Sequence, residues 1–370
     1  MEKFIIDLLN QKPDRKMTYS EFMSTVLYTP KLGYYMGDRE KIGKQGDFYT
    51  TSNLSDVFGR TLAKWILHII TESGLPPVLC EIGGGTGRLA DSILTYIRNH
   101  EPDMFDRLQY FILDVSPFQR EKQRETLSAF KDIHFIDSLE DLPIIEGIIF
   151  SNELFDALPV HIVEKKHGLL FEVMITEKAG QFVEVIEPLE NQEILRFLHE
   201  QDVSLVEGQR FEVPLEMVAY LQSIAGHLQK GFLVSIDYGY RNEEWREPVH
   251  RKGSLRGYHK HQMIENVLSY PGKMDITTHI HFDALIHYGT VFGLKHEALI
   301  GQQEFLLRAG ILNELQDHDD PNPFSETAKR NRAIRSLIVS GGISSYFRVL
   351  LQSKGLPADQ TLFPGEKENP

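Results

Sequence analysis

Glu81 stands two positions before a run of glycines, in Val78-Leu79-Cys80-Glu81-Ile82-Gly83-Gly84-Gly85-Thr86-Gly87-Arg88-Leu89. Glycines let a backbone approach a ligand closely and adopt positive φ. A helix beginning after them offers free N–H groups and partial positive charge. That combination holds either a dinucleotide pyrophosphate or the amino-acid end of S-adenosylmethionine. A dinucleotide fingerprint needs Gly-x-Gly-x-x-Gly. Counted from Gly83 the sixth residue is Arg88, and from Gly85 it is Ala90, so the pattern fails. A P-loop fails too, because no Gly-Lys-Ser/Thr follows. Gly83, Gly84, Gly85 and Gly87 therefore suit the second ligand, and the Glu81 carboxylate suits its sulfonium and α-amino charges. Asp114 closes the next apolar run, where an acid can accept both ribose hydroxyls. Asp137-Ser138 closes a third and is placed to meet the adenine amino group.

On the acceptor side stands Ser151-Asn152-Glu153-Leu154-Phe155-Asp156-Ala157-Leu158-Pro159. Methyl transfer from a sulfonium is an in-line displacement, so the protein supplies positioning and a proton acceptor. Asn152 can orient a nucleophilic nitrogen and is also a candidate contact to the cofactor, and Glu153 can pair with a guanidinium or ammonium. Asp156 is a third candidate, with a helix N-cap as its structural alternative. Asp237 ends a later apolar strand and is expected to point into the same cleft. Two further clusters follow, Arg256 with Tyr258 in residues 253–261, and Asp275 with His279 and His281 in residues 274–283. The histidines raise the question of metal; no distinctive carboxylate–histidine spacing accompanies them, and none is expected.

These residues need a scaffold. Short apolar runs at 78–82, 108–115, 133–136, 147–151 and 232–237 alternate with helical patterns at 88–99 and 117–130. That order predicts an α/β fold with a buried parallel sheet and helices on both faces. Helices are also expected at 18–27, capped by Thr18 or Ser20, and at 55–73, ending at Gly74. Residues 161–190 read as a β-hairpin insertion and 240–281 as a long loop closing over the pocket. The implied domains are an N-terminal cap (1–58), a core (59–355) with insertions at about 161–215 and 240–281, and a frayed tail (356–370).

The chain has 370 residues, 41% hydrophobic and 25% charged, with a net charge of −14. Such acidity disfavours a nucleic-acid or anionic-membrane partner. The single cysteine, Cys80, excludes an internal disulfide and a cysteine-built zinc site, and reads as a buried small hydrophobe. The N-terminus lacks an apolar signal core and no stretch reaches membrane-spanning length, so the expected location is cytoplasmic.

Several motifs together resemble the MidA-type methyltransferases, relatives of a mitochondrial protein arginine methyltransferase. They are Tyr34-Tyr35, Gly46-Asp47-Phe48-Tyr49-Thr50, the glycine run, Asp114-Val115-Ser116-Pro117, Asn152 to His161, Asp237-Tyr238-Gly239, Gly253-Ser254-Leu255-Arg256-Gly257-Tyr258 and Asp275-Ile276-Thr277. The resemblance implies a class I methyltransferase fold with a Rossmann-like, seven-stranded sheet, in which residues 346–351 run antiparallel beside residues 294–300. It implies S-adenosyl-L-methionine as cofactor and a protein arginine as acceptor. It also implies pocket roles for Tyr35, Asp47, Phe48, Thr50, Asn53, Asp237, Arg256, Tyr258 and Asp275. The chain departs from the family in carrying Gly84 in place of a usual proline and Asn53 in place of a usual glutamate. A small-molecule methyltransferase and an inactive assembly protein on the same fold are the competing readings.

Overall fold

The computed structural model describes residues 1–38, 56–317, 322, 324–339, 346–358 and 360–365. It opens with the helix Glu2–Gln11, a short strand β1 (Met17–Thr18) and the helix Tyr19–Tyr28. Thr18 caps that helix as expected. Its hydroxyl accepts the Glu21 N–H at 3.1 Å, and the Glu21 carboxylate accepts the Thr18 N–H at 2.8 Å. The helix Val57–Ser73 ends at Gly74 in the left-handed conformation, also as expected.

The alternating region forms β2 (Val78–Ile82), β3 (Gln109–Leu113), β4 (Ile133–Ile136) and β5 (Ile145–Asn152). Next come β6 (His161–Lys166), β7 (Leu169–Lys178), β8 (Gln181–Pro188) and β9 (Arg210–Val213). The long strand β10 (Leu228–Tyr240) follows, then β11 (Arg256–His259), β12 (Gln262–Ile264), β13 (Asp275–Thr277) and β14 (Ile280–His281). The last two are β15 (Lys295–Gly301) and β16 (Phe347–Lys354).

The central sheet has the order β15-β16-β10-β5-β2-β3-β4, with β14 added beside β10. β10, β5, β2, β3 and β4 are parallel, and β16 is antiparallel to both its neighbours. The seven expected strands are present, and β14 makes the sheet eight-stranded. Leu79, Ile148, Phe150 and Val234 pack on one face with Trp65, while Cys80, Ile82, Ile149 and Leu233 pack on the other with Phe197. Covered on both faces, such strands must be apolar throughout, which is why their runs lack alternation.

The order also locates the site. From β2 the chain builds outward to β3 and β4, then returns to β5 on the other side of β2. The carboxyl ends of β2 and β5 therefore flank a topological switch point, where open α/β sheets bind ligands.

Three expectations are corrected. The first insertion is more than a hairpin: β6, β7, β8 and β9 form a five-stranded sheet completed by β1, whose Met17 faces Ile175. Residues 240–281 are not simply loop, since β12-β11-β13 is a small antiparallel sheet. One apolar cluster, with Phe22, Tyr34, Val173, Ile175, Met274 and Ile276, joins the cap and both insertions. Third, the described part of the tail does not fray. Trp65 Nε1 donates to Leu362 O at 2.9 Å, and Phe363 is 1% exposed against Phe305, with Arg308 over its ring at 4.1 Å. Phe363→Ala is expected to lower stability by about 3 kcal/mol, the scale for deleting a buried ring. Urea unfolding measures it, and an unchanged midpoint would show that the tail adds nothing.

Among the described residues no helix is long and apolar enough to cross a membrane.

Candidate active site

A cavity of about 560 Å³ opens at the carboxyl ends of β2, β3 and β5, within the size range of small-ligand sites. The glycine loop forms its floor. Gly83, Gly85 and Gly87 have φ of +76°, +51° and +81°, values that L side chains rarely adopt. A Cβ at Gly84 would meet Ile112 Cδ1 at 2.5 Å, so Ile112 occupies the space that the family's usual proline needs. Gly83, Gly84 and Gly85 line the cavity, while Gly87 begins the helix Arg88–His100 behind it.

Asp114 lines the cavity and is tied to the loop. Its Oδ2 accepts the Gly85 N–H at 3.1 Å and its Oδ1 the Ser116 N–H at 2.9 Å. Gln123 braces the loop from behind, donating to Gly85 O at 2.9 Å. Strand end and glycine bend are thus one unit.

Glu81 also lines the cavity, yet is only 3% exposed. Tyr110 donates its hydroxyl to Glu81 Oε2 at 2.6 Å. Burial pushes the Glu81 carboxyl up to about 8; the Tyr110 hydrogen bond opposes this and the Asp114 charge adds to it. The folded protein therefore holds a proton there that the unfolded chain releases, and stability falls as pH rises from the ordinary carboxylate value toward 8. A cationic ligand reverses the preference by favouring the ionised form. Binding an ammonium-bearing cofactor at pH 7 is expected to release close to one proton, and affinity is expected to rise with pH up to about 8. Calorimetry in buffers of different protonation enthalpy counts that proton; zero release would contradict the assignment.

Asn152 and Glu153 line the acceptor side. Asn152 Nδ2 donates to Glu153 Oε1 at 3.2 Å, leaving Asn152 Oδ1 buried without a partner. Glu153 has φ +55°, a left-handed conformation uncommon for a side chain of its size. Gln119 Oε1 is a second buried acceptor without a partner, on another lining residue. Both residues line the cavity, though the two oxygens themselves are closed off from solvent.

Other expectations fare differently. Asp137 pairs with Arg120 at 3.0 Å and Ser138 donates to Asp141 at 3.1 Å; neither lines the cavity. Asp156 is buried in a short 3₁₀ turn, not a helix N-cap, and accepts the Tyr238 hydroxyl. Burial pushes its carboxyl up to about 6. Asp237 lies behind the wall and turns back onto the backbone. Burial, then the charges of Asp156 and Glu153, push it up also. Arg256, Tyr258 and Asp275 sit on the small sheet outside the lining, but Asp275 accepts the Tyr35 hydroxyl at 2.6 Å, and Tyr35 lines the cavity. Asp47, Phe48, Thr50 and Asn53 lie outside the described residues.

The histidines serve packing. His281 stacks on Trp245 at 4.6 Å and His279 on Tyr240 at 4.5 Å. Burial holds both below the usual imidazole range, at about 3 and about 4. Among the described residues no three His, Cys, Asp or Glu side chains gather as a metal site. Cys80 is fully buried and burial raises its thiol, as a small hydrophobe requires.

Sequence reasoning missed Ser24, Tyr28, Gln119, Glu216 and Tyr220, all of which line the cavity. Ser24 and Tyr28 stand four apart on one helix face, a detectable signal. Tyr28 stacks on Tyr35 at 5.5 Å and donates to Ala157 O at 2.9 Å.

The Methyltransf_28 model, which describes S-adenosyl-L-methionine-dependent methyltransferases, matches residues 61–299. The chain belongs to this family. Among solved structures, a Burkholderia thailandensis protein crystallised with S-adenosyl-homocysteine superposes with a TM-score of 0.87 at 29% identity, covering 98% of this chain and 95% of its own. The mitochondrial protein arginine methyltransferase NDUFAF7 of Xenopus tropicalis is 27% identical over 80% of this chain and 72% of its own length. The Drosophila melanogaster homologue is 25% identical over 75% and 67%. This methyltransferase is therefore an S-adenosyl-L-methionine-dependent enzyme on the class I fold.

Proposed function

We propose that this methyltransferase modifies protein and that its acceptor is an arginine guanidinium nitrogen. The carrying observation is the charge of the cavity. Glu81, Asp114, Glu153 and Glu216 line it, with Arg88 the one basic side chain among the described lining residues. Asp156, Asp237 and Asp275 are buried close behind. Asp114, Glu153 and Glu216 favour a cationic acceptor, and Glu81 joins them once a cationic cofactor draws off its proton. The names of the curated relatives agree with this choice.

Gly83 to Gly85, Glu81 and Asp114 would hold the cofactor: the loop its amino-acid end, Glu81 its ammonium and Asp114 its ribose. When bound, S-adenosylmethionine supplies an electrophilic methyl group. A guanidinium, ionised below pH 12, must lose one N–H proton as its nitrogen becomes the nucleophile. Glu153, which lines the cavity, would pair with it and take that proton on a carboxylate oxygen. Asn152 donates to Glu153 Oε1 at 3.2 Å and so orients that carboxylate.

The test is methyl transfer from radiolabelled S-adenosylmethionine to cell-extract protein, followed by hydrolysis to amino acids. The expected product is methylarginine. Label in lysine, in base-labile esters or only in small soluble molecules would overturn the acceptor assignment.

A further inference from the structure

Three successive residues at the end of β10 hold the turn that carries Glu153. The Glu153 N–H donates to Ile236 O at 2.9 Å. Asp237, 1% exposed, accepts the N–H groups of Phe155 at 3.0 Å and Asp156 at 3.3 Å on Oδ2, and that of Tyr238 at 2.9 Å on Oδ1. Tyr238 donates its hydroxyl to Asp156 Oδ2. From the opposite side the Thr278 N–H donates to Asp156 O at 2.9 Å. A left-handed glutamate persists only where its surroundings over-determine it. Here the surroundings are these bonds, and Asp237 accounts for two of those reaching across to the turn. Yet Asp237 does not line the cavity, whereas Glu153 does.

We propose that Asp237 is a positioning residue for methyl transfer: its carboxyl fixes residues 153–156 and thereby aims Glu153 at the acceptor, with Tyr238 bracing the far end of the turn. The proposal rests on the reading of Glu153 as the acceptor-side carboxylate. It differs from a general structural role in what should move. A general role lowers stability, cofactor affinity and rate together. A positioning role lowers rate, acts only through Glu153, and leaves the glycine loop and Asp114 intact.

The experiment uses the full chain, radiolabelled S-adenosylmethionine and extract protein as acceptor. Asp237→Ala, Asp237→Asn and Tyr238→Phe are made alone and combined with Glu153→Gln. Asp237→Ala is expected to lower the rate at saturating cofactor about 100-fold, with S-adenosyl-homocysteine affinity within about threefold, the rate effect being that of a small misplacement. Asparagine keeps an oxygen for the Phe155 and Asp156 N–H groups, so Asp237→Asn is expected to recover the rate to within about tenfold of wild type. In the Glu153→Gln background the Asp237 changes should add almost nothing, because the residue they position is already disabled. Additive losses, or a loss of cofactor affinity matching the loss of rate, would overturn the proposal. If Asp237→Ala does not fold, Asp237→Asn and Tyr238→Phe carry the same cycle, with coupling expected and additivity contradicting it. A fully active Glu153→Gln would instead remove the reading of Glu153 itself, an outcome distinct from an impaired Glu153→Gln with additive Asp237 changes.

Discussion

Glu153→Gln is expected to lower the methyl-transfer rate by about 10²–10⁴-fold, the range for removing a positioned proton acceptor. Cofactor affinity should hold, because Glu153 follows β5 while the glycine loop and Asp114 follow β2 and β3. Glutamine keeps the shape and the hydrogen-bonding reach of glutamate, so a rate loss isolates the charge. The neighbouring change, Glu153→Gly, separates chemistry from stability. At φ +55° a glutamate is strained and a glycine is not. Glu153→Gly should therefore raise unfolding free energy by about 1 kcal/mol while abolishing turnover. Rate assays with thermal denaturation read both. A glycine variant that keeps its rate would show that Glu153 is a bystander. One that melts earlier would show that its side chain holds the turn by contacts beyond the backbone bonds.

The second large effect falls on Asp114. Asp114→Ala is expected to weaken S-adenosyl-homocysteine binding by about 2–3 kcal/mol, roughly 30–150-fold, the scale for losing hydrogen bonds to a charged group. Two losses combine. The ribose loses its acceptor, and the Gly85 N–H loses the oxygen that pins the loop at 3.1 Å. Asp114→Asn retains one acceptor and should fall between the extremes. Titration calorimetry measures the series. Equal affinity in all three proteins would place the nucleoside elsewhere.

How much of this was legible in the sequence depended on whether a residue's role is set locally. Glu81, Gly83 to Gly85 and Asp114 could be placed at the cavity because a buried parallel strand, a glycine bend and a helix start follow one another within a few residues. Thr18 and Gly74 could be read for the same reason, since caps are local. Strand ends were a weaker guide. Asp137 and Asp237 do sit at the carboxyl ends of their strands, but that position does not say where a side chain turns. Asp137 turned to Arg120, and Asp237 to three backbone N–H groups. Tyr28, Gln119, Glu216 and Tyr220 come to the cavity from three helices separated by long stretches of chain, and only tertiary packing unites them. The small sheets were hidden by length. β1 has two residues and β12 three, too few to display alternation. The same shortness made residues 240–281 read as loop, though β13 carries the Asp275 that holds Tyr35.

On this reading the bend after β2 receives the cofactor's amino-acid end, Asp114 receives its ribose, and the thioether faces Asn152 and Glu153. A crystal structure with S-adenosyl-homocysteine tests it most directly. The predicted result is both ribose hydroxyls on the Asp114 carboxylate and the sulfur turned toward Glu153. Adenosine seated away from Gly83 to Gly85, or a sulfur directed away from β5, would contradict it.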